Sequence, residues 1–554
     1  MKKGLFSLRI VSLLLLLPVY GLSFSQSKGL KTITEKELRY HLEFLGAREF
    51  RGRVIPSPEL EIATLYIGNW VKNAGLKPIM KDGSFYQAIP VTVTSVFQPN
   101  TKIRISKGSG EQVYYYGKGF GGNFSVSGSY SGDVVFAGLG FSDPENGWDD
   151  LKGLDLKGKI VVIMDAQRPG SNPELGITQY GRFNSRSAEI RKRGASAILT
   201  IVSAEREEKM AAGSKIFETI PSGKMTTVFD SQRTVFTTPA PANPKPEARP
   251  SFPFERAEIS HELAAEILGI SRYEVGEMFK MVKQGHQIPS KIVPDVHVNL
   301  DVEVDNSEST SRNVIAVIEG SDPVLKNEYI VISGHHDAVG IRDGEICPGA
   351  DDNGTATVAL MEIGQALLAE RPKRSVILAW FTGEEKGMNG SHYFINNCPV
   401  PVEKISACLN MDMIGRNSSD SLFLVGSNLL SSELDGAIKK VNRNGGINFA
   451  FDYRYSSVDH PLHVYFRSDQ YPFVRFGIPG VWIFSGFTFD YHTPNDLLEN
   501  INYKKFCKTT KLVYLAAFEI GNMKDLLKLD VNPAVTSRGR HNLTETSLFQ
   551  SAVK

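Results

Sequence analysis

Cysteine is scarce in this chain: four residues in 554, at Cys347, Cys398, Cys408 and Cys507. That is too few for a disulfide-built scaffold, and none stands in a Cys-x-x-Cys pair, which argues against a thiolate zinc site. Cys398 and Cys408 could pair in an oxidising compartment, and spacing leaves that open. Charge of one sign is missing as well, since 62 Lys and Arg against 61 Asp and Glu leave a net charge of +1. Such a balance provides no long-range field for nucleic acid or an anionic membrane, and neither is expected as a partner. Beyond the N-terminus no apolar run is long enough to cross a bilayer, and there is no internal repeat.

The first residues read as an export signal rather than as fold. Lys2, Lys3 and Arg9 lead into the apolar stretch VSLLLLLPVYG, and small residues within Leu22–Ser25 precede Gln26. A charged start, an apolar middle and a small-residue site define a cleavable leader over residues 1–25. Its apolar part is short beside the ~20 residues of a membrane helix. No cysteine lies near the cleavage site, which speaks against a lipid anchor. The expectation is an exported protein, periplasmic or extracellular, without stable membrane insertion.

A chain of 554 residues exceeds one ordinary core, so more than one folded unit is expected. TITEKELRYHLEFLG reads as a helix with Thr34 and Glu37 as a capping box. Ser57 suits an N-cap, Pro58 the first helical position and Gly75 the stop of a second helix. Both belong to residues 26–95. From about 96 to 300 the texture changes to short alternating runs such as KIRIS and QVYYY among many glycines, with a proline-rich loop, TTPAPANPKPEARPSFP. This β-rich block holds no cluster of His, Asp, Glu or Cys and reads as a non-catalytic insert.

Residues 301–529 turn to a strand–loop–helix rhythm. NVIAVIEG, EYIVISG, SVILAWFT, SACLNMDMI and GVWIFSG are continuous apolar runs, as strands covered on both faces require. Leu360, Ile363 and Leu367 share one stripe of a helix between two of them. KTTKLVYLAAFEIGNMKDLL closes the unit, and residues 530–554 read as a loose polar tail. The pattern predicts an α/β fold, a doubly wound mixed sheet flanked by helices.

Several of those strands end in metal-ligand chemistry. EYIVISG runs into His335-x-Asp337, CPGADDNGTA carries Asp351, SVILAWFT leads to Glu384 and Glu385, SACLNMD reaches Asp412, and VWIFSGFTFDYHTPND supplies Tyr491 and His492. Open α/β sheets keep their ligands at the carboxyl ends of the strands. Two zinc ions about 3.5–4 Å apart need a bridging carboxylate, an imidazole for each metal and one more carboxylate for each. The candidates supply that set, with Asp351 as the bridge, His335 and Asp412 on one ion, and Glu385 and His492 on the other. Nitrogen and oxygen ligands suit zinc, with manganese or cobalt able to substitute. Glu384, beside a ligand but free to point elsewhere, is the candidate general base for an attacking water. Asp337 can accept the second ring N–H of His335 and fix its tautomer. His336 is read as a neighbour without a role.

Taken together, His335-x-Asp337, GADDN, GEE, NMD and YHTPND resemble the signature of the co-catalytic dizinc aminopeptidases, the broad family of secreted bacterial leucyl aminopeptidases and glutamate carboxypeptidase. RSDQYPFVRFGIPGV and HLEFLGAREFRGR are similar to that family too, and the likeness spans roughly Ile33–Ser95 and Arg312–Lys524. It implies a zinc exopeptidase-like fold, two zinc ions per chain, a peptide substrate, and an aminopeptidase activity removing N-terminal residues. A carboxypeptidase or dipeptidase of the same family is the rival, and a ligand-binding relative without activity is the rival from another class. The likeness carries over the five ligand roles and the base, and implies that Tyr491 assists the tetrahedral intermediate. LKGKIVVI, GASAILTI and ISHELAAEILG in the insert resemble a protease-associated domain, which would lie beside the cleft.

Overall fold

The computed structural model describes residues 27–539 apart from 98, 123, 125, 145–146, 167–178, 209, 211–232, 236–254, 343, 459 and 461, and adds 543 and 548. The leader and the whole of the proline-rich loop lie outside the described residues. Among the described residues, a ten-stranded mixed sheet runs Arg233–Val235, Tyr86–Val96, Val304–Ile318, Ser375–Phe381, Tyr329–His335, Ile405–Met411, Gly480–Phe484, Ser421–Val425, Ala450–Asp452, with Lys77–Pro78 paired to Val304–Ile318. The four strands from Ser375–Phe381 to Gly480–Phe484 are mutually parallel, so their carboxyl ends share one edge.

Apart from the partly exposed Tyr329, each of these four strands is buried throughout, which is why their sequences are continuous apolar runs rather than alternating ones. Successive side chains serve opposite faces. Ile330 and Ile332 join one core with Leu360, Ile363, Leu367 and Leu512, while Val331 joins another with Phe394 and Phe473. Helices Glu35–Leu45, Pro58–Asn73, Ala356–Ala369 and Tyr503–Asn522 supply the first face. Asn389–Asn396 and Gln470–Val474 supply the second. The sheet is doubly wound in the sense the sequence predicts.

Local chemistry sets the helix ends. Ser57 Oγ accepts from the Leu60 N–H at 3.0 Å with Pro58 at the first turn, and Thr34 Oγ1 accepts from the Glu37 N–H at 3.2 Å. The closing helix starts earlier than its apolar period, at Tyr503, because Asn502 caps it by accepting from the Lys505 N–H at 3.1 Å.

A second sheet is built wholly from residues 102–302, in the order Gly110–Tyr115, Lys102–Lys107, Lys291–Val302, Gly128–Phe136, Ile160–Met164, Ala197–Ile201, Glu255–Ile259, Phe120–Gly121. It is less purely β than its alternating segments predict. The strands from Gly128–Phe136 to Glu255–Ile259 are parallel and accompanied by helices Gln179–Lys192, His261–Leu268 and Arg272–Lys283. The last of these follows a full capping box of Ser271 and Glu274, a sequence signal passed over above. This block has its own core around Val162, Leu199 and Val298. It connects to the first sheet through Tyr86–Val96 and Val304–Ile318, antiparallel with Val96 facing Val304, and its own residues Arg233–Val235 add an edge strand to that sheet against Thr92–Thr94.

The C-terminal stretch departs from the loose tail expected of its polarity. Val535 and Leu548 are buried against Tyr465, Val474 and Trp482, and the N–H groups of Gly539 and Leu543 donate to Phe476 O and Arg475 O at 3.0 and 2.9 Å. Two apolar anchors among polar neighbours are enough to dock a segment, though too few to give a period. Cys408 carries a free thiol whose Sγ lies 3.6 Å from Ser333 Oγ, so it is not used in a disulfide with Cys398.

Candidate metal centre

The strand ends bring the polar residues together. His335 closes its strand, Asp412 follows Met411 directly, Glu384 and Glu385 lie just past Phe381, and His492 sits in the loop after Phe484. Two groups of ligand atoms result, His335 with Asp352 and Asp412, and Asp352 with Glu385 and His492. His335 Nε2 lies 3.4 Å from Asp352 Oδ1, 3.5 Å from Asp412 Oδ1 and 3.9 Å from Glu384 Oε2. His492 Nε2 lies 3.0 Å from both Asp352 Oδ2 and Glu385 Oε2. Asp352 therefore offers one oxygen to each imidazole.

This differs from the expectation of Asp351 as the shared carboxylate. Asp351 Oδ1 accepts from the Gly415 N–H at 2.7 Å and from the Thr355 hydroxyl at 3.2 Å, and its side chain belongs to the support behind the site. Adjacent residues of a near-extended loop project to opposite sides, and Asp352 has φ −106° and ψ 92°. One of two neighbouring aspartates had to face away. Sequence alone carries no mark of which.

Asp337 holds His335 from behind. His335 Nδ1 is 3.1 Å from the Asp337 carbonyl oxygen and 3.6 Å from its Oδ1. Both ring nitrogens face only acceptors, and a cation held at Nε2 would leave the ring hydrogen on Nδ1, where the Asp337 carbonyl accepts it. Asp337 Oδ1 also accepts from the Glu384 N–H at 3.3 Å, which ties the base-bearing turn to the same aspartate. Asp412 Oδ2 accepts from the Ser468 hydroxyl at 2.6 Å, leaving Oδ1 for the His335 side. His336 turns the other way, with Nδ1 2.8 Å from Phe381 O and Nε2 2.9 Å from Thr64 Oγ1, and burial pulls its pKa down to about 4.

The electrostatics are those of crowded, buried acid. Burial, reinforced by Asp412, Glu385 and Asp469, pushes Glu384 well above the usual carboxylate range. Burial does the same for Asp469, to about 7. Burial opposes protonation of His492, yet Glu385 and Asp352 raise it to about 9, and Asp412, Asp337 and Asp352 likewise overcome burial at His335. His335 Nε2, His492 Nε2, Asp412 Oδ1 and Glu385 Oε1 are buried without a hydrogen bond. Such atoms are costly unless something positive lies among them. The donor set, two imidazoles and three carboxylates in two overlapping triads, fits a pair of divalent cations held by nitrogen and oxygen.

Two residues missed in the sequence complete the surroundings. Arg53 is buried and donates to the carbonyls of His336, Leu45, Pro348 and Gly349 at 2.6–3.0 Å, binding the N-terminal helices to the loops on either side of the site. Its only sequence signal was its place in HLEFLGAREFRGR. Arg467 Nη2 donates to the Tyr491 hydroxyl at 3.2 Å, and the Tyr491 ring stacks on His492 with centroids 3.7 Å apart.

Fold and site define the class first: an α/β protein with a two-centre metal-binding constellation at the carboxyl edge of its parallel strands. Residues 313–517 match Peptidase family M28. A protein of Aspergillus oryzae named "probable leucine aminopeptidase 2" is 26% identical over 304 residues, 50% of this chain and 56% of that protein. An aminopeptidase of Pseudomonas aeruginosa is 36% identical over 123 residues, 22% of each chain. The chain thus spans little more than half the length of the first of these relatives and less of the second. Among solved structures, an aminopeptidase from Aneurinibacillus sp. strain AM-1 superposes with a TM-score of 0.53 at 18% identity, covering 92% of this chain and 98% of that one. BSAP, a zinc aminopeptidase from Bacillus subtilis, gives 0.51 at 15% identity, covering 90% and 98%. At such identities the likeness is one of fold.

Proposed function

We propose that the chain is an exported, zinc-dependent exopeptidase, an aminopeptidase that hydrolyses N-terminal residues from peptides. The observation that carries this reading is the pair of triads sharing Asp352, with imidazole nitrogens and carboxylates turned toward one another. His335, Asp352 and Asp412 would hold one zinc, and Asp352, Glu385 and His492 the other, two per chain. Bound there, the ions supply Lewis acidity toward the scissile carbonyl and toward an attacking water. Glu384 takes the proton of that water and returns it to the leaving amine. Its carboxylate is well suited, since it reaches within 3.9 Å of His335 Nε2 without belonging to either triad. Asp337 keeps His335 in the tautomer that presents Nε2. Tyr491, accepting from Arg467, has its own hydroxyl hydrogen left to donate to the developing oxyanion. The names of the relatives, leucine aminopeptidase and aminopeptidase, support the amino end as the site of attack.

Arg467 favours the second reading, a carboxypeptidase or dipeptidase, because a guanidinium next to Tyr491 is complementary to a substrate carboxylate. A peptide panel blocked at either end separates the two: cleavage of C-terminally amidated peptides with no cleavage of N-acetylated ones is the expected result, and the reverse overturns the aminopeptidase reading. Glu384→Gln should lower kcat by about 10²–10⁴ while zinc stays near two per chain by elemental analysis. Substantial remaining turnover would remove Glu384 from its role. The insert, by the likeness of LKGKIVVI, GASAILTI and ISHELAAEILG, is read as a protease-associated domain. Export rests on the leader at residues 1–25. Among the described residues no helix is long and apolar enough to cross a membrane.

A further inference from the structure

We propose that Asp496 is a positioning residue that aims the shared carboxylate of Asp352 between the two halves of the site. This rests on the two-zinc reading given above. Asp496 is the last residue of the YHTPND segment, four residues after His492, and the catalytic scheme gives it no task. It is 4% exposed and uses every acceptor it has on one neighbouring loop. Its Oδ1 accepts from the Asp351 N–H at 2.9 Å and its Oδ2 from the Asp352 N–H at 3.0 Å, while its carbonyl oxygen accepts from the Ala350 N–H at 3.2 Å. Three consecutive N–H groups therefore end on a single residue.

That grip has a geometric consequence. Holding the N–H of both Asp351 and Asp352 fixes the two peptide planes that lead into Asp352, and with them the place of its Cα and the plane from which its side chain departs. The carboxylate at its tip must reach His335 Nε2 on one side and His492 Nε2 on the other, at 3.4 and 3.0 Å. Small rotations would serve one imidazole at the expense of the other. Because Asp496 and His492 share a loop, the same contact also sets the distance between the bridge and one of its imidazoles. An acid is costly here, buried beside other acids, and a charge-accepting pair of oxygens is what repays it: among side chains a carboxylate offers two separate oxygens, one for each N–H. Arg416 offsets part of the charge, with Nη1 3.9 Å from Asp496 Oδ1 and its Nη2 paired to Asp490.

Asp496→Asn is the direct test. The amide keeps the shape, but its NH₂ faces a backbone N–H, so one of the two grips is lost. Zinc affinity is measured by chelator competition on the full chain, alongside the absorption spectrum of the cobalt-loaded protein, kcat and KM, and the Tm of the metal-free form. The expected result is a loss of about 10–100-fold in zinc affinity, an altered cobalt spectrum, and a fall in kcat with KM little changed. Asp490→Asn, which disturbs Arg416 but none of the three N–H contacts, should keep zinc affinity within about twofold. Asp496→Ser, with one acceptor and no opposing amide, covers the case in which the amide variant does not fold, and is expected to lose zinc affinity in the same range. Wild-type zinc affinity and an unchanged cobalt spectrum in a folded Asp496 variant overturn the proposal, even if Tm has dropped. A wild-type chain that takes up no zinc overturns the two-zinc reading itself, and this inference with it.

Discussion

Asp351 and Asp352 differ in what their carboxylates can still bind. Asp351 has its Oδ1 taken by the Gly415 N–H and the Thr355 hydroxyl, contacts that an asparagine oxygen can also accept. Asp352 has each oxygen turned to a different imidazole. Asp352→Asn should therefore drop bound zinc below one per chain and activity by about 10³-fold or more, consistent with loss of a bridging ligand. Asp351→Asn should retain most of its zinc. Equal loss in both would mean that the wrong aspartate has been assigned. Glu362 supplies a second residue-scale test, this time of stability. It is buried with its Oε1 3.8 Å from His41 Nε2, and burial, with Glu37 nearby, raises its pKa from 4.5 to about 7. Between those two values the folded chain holds a proton that the unfolded chain has lost, so this group's contribution falls as pH rises through the window. Glu362→Gln should flatten the decline in Tm between pH 5 and 8 and be more stable than wild type at the upper end, by on the order of 1–3 kcal/mol. A variant curve parallel to wild type would discount Glu362 as the titrating group.

Elements were more legible than residues. The parallel strands could be read because burial on both faces leaves no room for polar alternation, and their ends could be read because a chain leaving the sheet must offer side chains to the same edge. His335, Glu384, Glu385, Asp412 and His492 follow from that logic. What could not be read was loop conformation: whether Asp351 or Asp352 turns inward depends on backbone torsions that no residue type there dictates. Arg53 was illegible for a related reason, since its partners are main-chain carbonyls scattered over three segments. Replacing it shows what those segments owe to it. Arg53→Met strands carbonyls of Leu45, His336, Pro348 and Gly349 and should cost about 3 kcal/mol or more. Arg53→Lys should recover little, because one ammonium cannot span a guanidinium's fork. Full rescue by lysine, read as Tm, would show that charge alone matters there.

At the scale of the molecule, each sheet has cores of its own, with the largest around Ile332 and Leu378 on the first and around Val162 and Val298 on the second. The candidate metal centre belongs to the first sheet alone. Calorimetry is expected to resolve two transitions, and chelation should lower only one of them, since a ligand stabilises just the unit it binds. A common downward shift of both would mean that the cores unfold as one. The parallel strands of the insert explain why its alternating segments were misleading: exposed edge strands such as Gly110–Tyr115 set the texture, while the buried ones beside helices were fewer and shorter.

The pairing of Val96 with Val304 also has a practical meaning for anyone wishing to remodel this protein. Some two hundred intervening positions depart and come back through one doorway, so a splice at that threshold exchanges the annex together with the edge strand Arg233–Val235 that it lends to the first sheet, while the hinge pillars, Tyr86–Val96 and Val304–Ile318, stay standing. The architecture is already divided for grafting.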